Sequence, residues 1–264
     1  MTDHTSRFTG KAGDYARYRE RYSPALVLPL LREWCGLAPE WTIADIGAGT
    51  GLVADMFCAN GNPVIAVEPN AEMRAACVSL HSTDERLIVR DGSAEATGLP
   101  DASVEMIAVG RALHWFNLEP ALREFRRILK PQGWVTILAS GRTEEGREEN
   151  RAYVDFLYSS AGRAKANESC LGVYRQLARL FPGAFHHTEV DGEMDVDWEG
   201  LLGLTLSFSH APRLDSPGFS EFEAALRRYF DRYARDGRIT WTTRTWISAG
   251  KFADRAESAG EIPD

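Results

Sequence analysis

Three alternate glycines, Gly47, Gly49 and Gly51, separate Asp45 from a run of helix-forming residues, and an acid, Glu68, stands about 20 residues further on. Glycine is needed where a chain leaves a strand sharply and where a ligand must approach the backbone without meeting a Cβ. The free N–H groups that open the next helix suit an anion. A carboxylate at the end of the following strand can accept from both hydroxyls of a ribose. The elements that would position these groups are legible around them. Residues 42–46 are β-prone; Leu52, Val53, Met56 and Phe57 recur at helical spacing until Gly61 offers a C-cap; residues 63–67 read as a second buried strand. A dinucleotide fingerprint, GxGxxG, sets an acid at the same distance. Here the pattern is GxGxG followed by Leu52, a tighter turn than a pyrophosphate loop requires, which disfavours a nicotinamide-dependent oxidoreductase.

Two further stretches extend the pattern. A strand at 87–90 leads into Asp91-Gly92-Ser93-Ala94-Glu95, and a strand at 104–109 delivers Gly110-Arg111-Ala112-Leu113-His114-Trp115 to its C-terminal edge. With the glycine loop, with Tyr15-Ala16-Arg17-Tyr18-Arg19 and with Gly98-Leu99-Pro100, these residues resemble the class I S-adenosylmethionine-dependent methyltransferases. The likeness is nearest to the small-molecule branch that includes trans-aconitate methyltransferase-like proteins, and it covers roughly the first half of the chain.

That resemblance implies S-adenosylmethionine as cofactor and a small organic methyl acceptor. Gly47, Ala48, Gly49 and Gly51 would line the methionine end, Asp45 would brace the loop, and Glu68 with Pro69 would hold the ribose. Ser93, standing where the family usually has Asp, would accept from the adenine amino group while the Ala94 N–H meets a ring nitrogen; Asp91 is the spare candidate, and Asp91-Gly92 also reads as a plain turn. Tyr15 and Arg19 match a segment that closes over the cofactor, although Tyr15, Tyr18 and Tyr22 could equally pack on a core. Arg111, His114 and Trp115 fall beside the transferable methyl. For a carboxylate acceptor, Arg111 and Arg142 supply cations. For a hydroxyl or amine acceptor, His114 or His210 supplies a base. A lone His beside Trp and Phe is also an ordinary packed corner. A catalytically silent cofactor-binding or scaffold protein remains a rival reading.

The 264 residues carry a formal charge of −8 and a hydrophobic content of 44%, ordinary for a globular chain. The charge disfavours a nucleic-acid substrate. Apolar runs fall short of the ~20 residues that span a bilayer, and no leader pattern opens the sequence, so a cytoplasmic monomer or homodimer is expected. The four cysteines lack zinc or disulfide spacing, and no metal is expected; His186 and His187 point to opposite faces of one strand.

Helix and strand alternation gives an α/β fold: a doubly wound, mostly parallel seven-stranded sheet, its last strand antiparallel, with helices on both faces and a helical cap. Residues 1–40 form the lid and first helices and 41–140 the cofactor-binding core. Residues 141–253 carry the last strands and cap helices of the same domain, and 254–264 form a frayed tail. Further helices are expected at 24–34 with a kink at Pro29, at 71–80, from Pro120 to a stop at Pro131, at 151–163, 172–180, 198–208 and 219–233. Strands are expected at 134–139, at 185–196 with a bulge at Gly192, and at 239–247.

Overall fold

The computed structural model describes residues 10–143, 146–161, 172–208 and 211–253. Short α1 (Ala12–Tyr18) and α2 (Pro24–Cys35) precede β1 (Ile43–Ile46), α3 (Leu52–Ala59), β2 (Val64–Val67), α4 (Ala71–Leu80) and β3 (Leu87–Arg90). Then come β4 (Val104–Gly110), α5 (Leu118–Ile128), β5 (Leu129–Arg142), α6 (Glu148–Ala161), α7 (Leu177–Leu180) and β6 (Ala184–Val196). The chain continues through α8 (Trp198–Leu206), α9 (Phe219–Tyr233) and β7 (Ile239–Lys251). The strands hydrogen-bond in the order β3-β2-β1-β4-β5-β7-β6. The pairs from β3 to β5 are parallel, and β7 runs antiparallel to both β5 and β6.

Alternation along the central strands explains why they read as continuous apolar runs. Met106 and Ala108 of β4 and Leu138 of β5 pack with Val27, Leu31 and Phe57 on one face. Ile107, Val109 and Ile137 pack with Phe125 and Ile128 on the other. Successive side chains of a strand point to opposite sides, so a strand covered on both must be apolar throughout. A third cluster joins Tyr153 of α6, Leu201 and Leu204 of α8, Phe230 of α9 and Trp241 of β7. Strand order reverses between β1 and β4, which opens a crevice at their carboxyl ends. Among the described residues no helix is long and apolar enough to cross a membrane.

Several boundaries differ from expectation for local reasons. No bulge forms at Gly192: the β6–β7 register runs unbroken from Ala184↔Lys251 to Val196↔Ile239. A Cβ at Gly192 would lie 3.2 Å from Thr243 Oγ1, so glycine serves a close cross-strand approach there. Helix α5 ends at Ile128, with Leu129 already extended (φ −69°, ψ 135°); Pro131 then restricts Lys130 to extended backbone. Strands β5 and β7 outrun their apolar stretches because their ends pair by backbone, with Arg142 opposite Thr243. Residues 172–180 supply only a 3₁₀ turn, Tyr174–Gln176, and the four-residue α7. Helix α1 stops at Tyr18, and Arg19 leaves it extended (φ −68°, ψ 141°). Pro29 lies inside an α2 that runs from Pro24 to Cys35. Ser209, His210, Cys170 and the tail 254–264 lie outside the described residues.

Candidate functional site

The turn after β1 is left-handed at every glycine: φ is +69° at Gly47, +58° at Gly49 and +89° at Gly51. Side chains are excluded for a second reason at two of them. A Cβ at Gly47 would stand 2.7 Å from the Cβ of Ala112, and one at Gly51 would stand 2.8 Å from both Cys77 Sγ and His81 Nε2. At Gly49 the nearest atom is a ring carbon of Tyr15, 3.9 Å away, so this glycine faces the N-terminal segment rather than the core. The Gly47 and Ala48 N–H groups donate to the Val67 carbonyl at 2.9 and 3.2 Å, fastening the turn to the end of β2.

Two acids frame the loop. Glu68, buried, accepts from the Gly49 N–H through Oε2 and from the Asn70 N–H through Oε1, each at 2.9 Å. Each oxygen keeps accepting capacity, since a carboxylate offers about four lone-pair sites. Burial raises the Glu68 pKa, against the two backbone donors. Asp45 Oδ2 accepts from the Ala54 N–H at 3.0 Å. Ala54 is the third residue of α3, whose N-cap is Gly51, so Asp45 performs the capping that glycine lacks a side chain to do. It therefore braces the helix start rather than the glycines themselves. Asp45 Oδ1 and Thr50 Oγ1 are buried with no hydrogen-bond partner among the described residues. Burial holds the Asp45 carboxyl up at about 7.

The remaining residues singled out in the sequence fall into two groups. Pro69 presents its carbonyl to Arg74 Nη1 at 2.7 Å, and Asp91 pairs with the same Arg74 at 2.9 Å. Ser93 and Ala96 form an isolated antiparallel bridge, which turns the chain at a buried Ala94. These positions follow the carboxyl ends of β2 and β3.

The second group meets across the crevice. Arg111 follows β4 at a left-handed φ of +52°, an uncommon conformation for a side-chain-bearing residue, and its N–H donates to the Leu138 carbonyl. Its Nη1 donates to Glu20 Oε2 at 3.0 Å and its Nη2 to the Glu20 carbonyl at 2.9 Å. Arg142, at the end of β5, donates through Nη1 to Glu20 Oε1 at 2.9 Å. Its guanidinium carbon lies 5.0 Å from the ring centres of both Tyr153 and Trp241, and 5.4 Å from that of Phe208. Arg19 stacks on Phe208 at 4.3 Å and on Tyr15 at 4.9 Å. The Nε atoms of Arg19 and Arg111 are buried with no hydrogen-bond partner among the described residues. Two guanidinium groups thus hold one carboxylate, and the charge of a third, Arg19, acts on it without a direct ion pair.

His114 lies in the 3₁₀ turn Leu113–Trp115 with its ring 4.7 Å from that of Trp115, and its Nδ1 is 3.1 Å from the Tyr174 hydroxyl. Burial, and then the charge of Arg19, lower its pKa to about 4, so it is neutral at pH 7. Glu20, Tyr153, Phe208 and Trp241 were not anticipated from the sequence. The aromatics fall in stretches read only as helix or strand, and Glu20 is 91 and 122 residues from its two arginines, beyond any local spacing.

The same segment is anchored at its other end. Lys11 Nζ donates to the Leu206, Phe208 and Ala211 carbonyls at 3.1, 2.6 and 2.9 Å, at the C-terminal end of α8. Tyr18 lies against Gly203 of α8. Residues 11–22 therefore bridge the glycine loop and α8.

Comparison with known proteins finds methyltransferases among the relatives of this chain. A methyltransferase-domain family model matches residues 44–137, from β1 into β5. An uncharacterized methyltransferase of Schizosaccharomyces pombe is 30% identical over 213 residues, covering 78% of this chain and 80% of its own length. An uncharacterized methyltransferase of Mycobacterium bovis is 30% identical over 142 residues, covering 54% of this chain and 55% of the relative. Among solved structures, a protein of Anaeromyxobacter dehalogenans proposed to be a type II methyltransferase superposes with a TM-score of 0.63 at 25% identity. That superposition covers 89% of this chain and 98% of the other.

Proposed function

The chain belongs to the class I S-adenosylmethionine-dependent methyltransferases, and we propose that it methylates an oxygen of a small organic molecule, a carboxylate being the acceptor its pocket fits best. The residues present fit the cofactor. The loop 47–51 leaves the Gly49 side open, Glu68 has acceptor capacity for ribose hydroxyls, and Asp45 Oδ1 is a buried acceptor without a partner among the described residues. Ser93 and Ala94 occupy the turn where adenine would be held, and Tyr15 and Arg19 lie on the segment that covers the loop. S-adenosylmethionine supplies a methyl group on a sulfonium sulfur, which an acceptor oxygen takes in line while the sulfur retains the bonding pair.

The observation that carries the acceptor class is the gathering of Arg19, Arg111 and Arg142 around a single glutamate. Buried cations in excess of their counter-ions are costly, and an acceptor carboxylate offsets that cost through charge-assisted hydrogen bonds. It also arrives ionised, so no base is required. His114 argues the same way: a ring whose proton leaves near pH 4 is a weak base for a hydroxyl. His114 and Trp115 then shape the pocket and exclude water, and positioning supplies much of the rate.

Calorimetric titration with S-adenosylhomocysteine, with NAD as control, tests the cofactor; panels of carboxylic acids and phenols, assayed with a labelled methyl donor, test the acceptor. We expect binding of the first ligand alone and turnover of carboxylic acids. Intact binding without turnover of either panel would establish a cofactor-binding protein instead. Turnover of phenols only would return His114 to consideration as base.

A further inference from the structure

We infer that Arg111 and Arg142 form a carboxylate clamp that the chain fills with its own Glu20, and that a small-molecule carboxylate enters by exchange with it. The inference rests on the carboxylate-acceptor reading above and goes beyond it by naming the group that the acceptor displaces. Glu20 spans the two arginines with one oxygen on each, at 3.0 and 2.9 Å, as a ligand carboxylate would. Its side chain is 8% exposed, and those of Arg111 and Arg142 are 12% and 9% exposed, so the interaction is desolvated.

The clamp and its occupant are held differently. Arg111 is fixed by its left-handed backbone and its N–H bond to Leu138, and Arg142 by the β5–β7 ladder and three aromatic rings. Glu20 sits beyond the end of α1, in residues 20–23, which belong to neither helix nor strand. It can leave without breaking a ladder; the bond it gives up through its backbone is that from Arg111 Nη2 to its carbonyl. Arg19 adds a third guanidinium whose Nε is buried without a partner among the described residues, as is that of Arg111. One glutamate therefore leaves donors and positive charge for an incoming anion. Were Glu20 only a counter-ion fastening the segment down, its removal would loosen the arginines and weaken anion binding. The two roles predict opposite signs.

The test is calorimetric titration of full-length wild type, Glu20→Gln and Glu20→Asp with succinate, with succinamide as the neutral control and folding checked by circular dichroism. We expect Glu20→Gln to bind succinate at least about tenfold more tightly than wild type, the loss of one competing charge-assisted contact, and succinamide to bind neither. Glu20→Asp, whose shorter side chain cannot span both arginines, should shift affinity in the same direction by less, and it stands in if the glutamine variant does not fold. Succinate affinity in the variants equal to or below that of wild type would overturn the exchange while leaving the clamp as acceptor site. No succinate binding to any of the three proteins, with S-adenosylhomocysteine binding intact, would overturn both the exchange and the carboxylate reading but not the cofactor assignment.

Discussion

Asp45 carries two burdens. It caps α3 in place of Gly51, and its second oxygen is buried with no partner among the described residues. A carboxyl held at about 7 in the fold and at 3.8 when exposed binds more protons folded than unfolded between those values. Stability therefore falls as pH rises through that window. Asp45→Asn retains an oxygen for the Ala54 N–H and carries no charge. We expect its unfolding free energy, relative to wild type, to rise between pH 5 and pH 8 by on the order of 2 kcal/mol. Urea denaturation at the two pH values measures the difference, and a pH-independent difference would remove the burial penalty from the explanation. Asp45, the glycines and Glu68 were legible in the sequence because their spacing is local: strand, turn, helix and next strand bring them together within 24 residues of chain, from 45 to 68. Glu20 was illegible because nothing local relates it to Arg111 or Arg142.

Helix α1 is only seven residues, too short to be stable by itself, so its docking is tertiary. Lys11 contributes three hydrogen bonds to the end of α8, and Tyr18 lies so close to Gly203 that a Cβ there would come within 2.2 Å of its ring. Gly203→Ala should therefore unseat α1 and leave the sheet intact. We expect the variant to lose about 1 to 3 kcal/mol of docking energy. Tryptic cleavage after Arg17, Arg19 or Arg21 should then be faster than in wild type, and S-adenosylhomocysteine binding weaker. Unchanged cleavage would show that α1 is held by contacts other than α8. The sequence left the segment around Tyr15 and Arg19 open between a lid and plain packing on a core; the structure ends α1 at Tyr18, and the extended residues beyond are what bring Arg19 and Glu20 across the crevice.

The C-terminal half is built into the same sheet as the glycine loop. Strand β7 lies between β5 and β6, and Arg142 and Trp241, whose guanidinium and ring stack, sit on β5 and β7. We expect one cooperative thermal transition for the full chain, since the cofactor-binding strands and the last strands share a ladder. S-adenosylhomocysteine at 100 times its Kd should add about 2.7 kcal/mol to the stability of that transition. Calorimetry that resolves two transitions, one of them indifferent to the ligand, would divide the chain into separate units.

The seven strands, the parallel core and the glycine turn followed from the sequence, because apolar periodicity and glycine placement are short-range signals read within one element or between consecutive ones. Even there some ends escaped: β5 and β7 are extended by backbone pairing, which any residue can join, and Gly192 serves a close approach rather than a bulge. The gathering of residues into the proposed acceptor pocket came only from the tertiary structure. It draws Glu20 from the N-terminal segment, Arg111 from the end of β4, Arg142 from β5 and its aromatic walls from α6, β7 and the residues after α8. Buried charge must be matched wherever the fold places it, and that matching is settled by packing across the crevice, not by spacing along the chain.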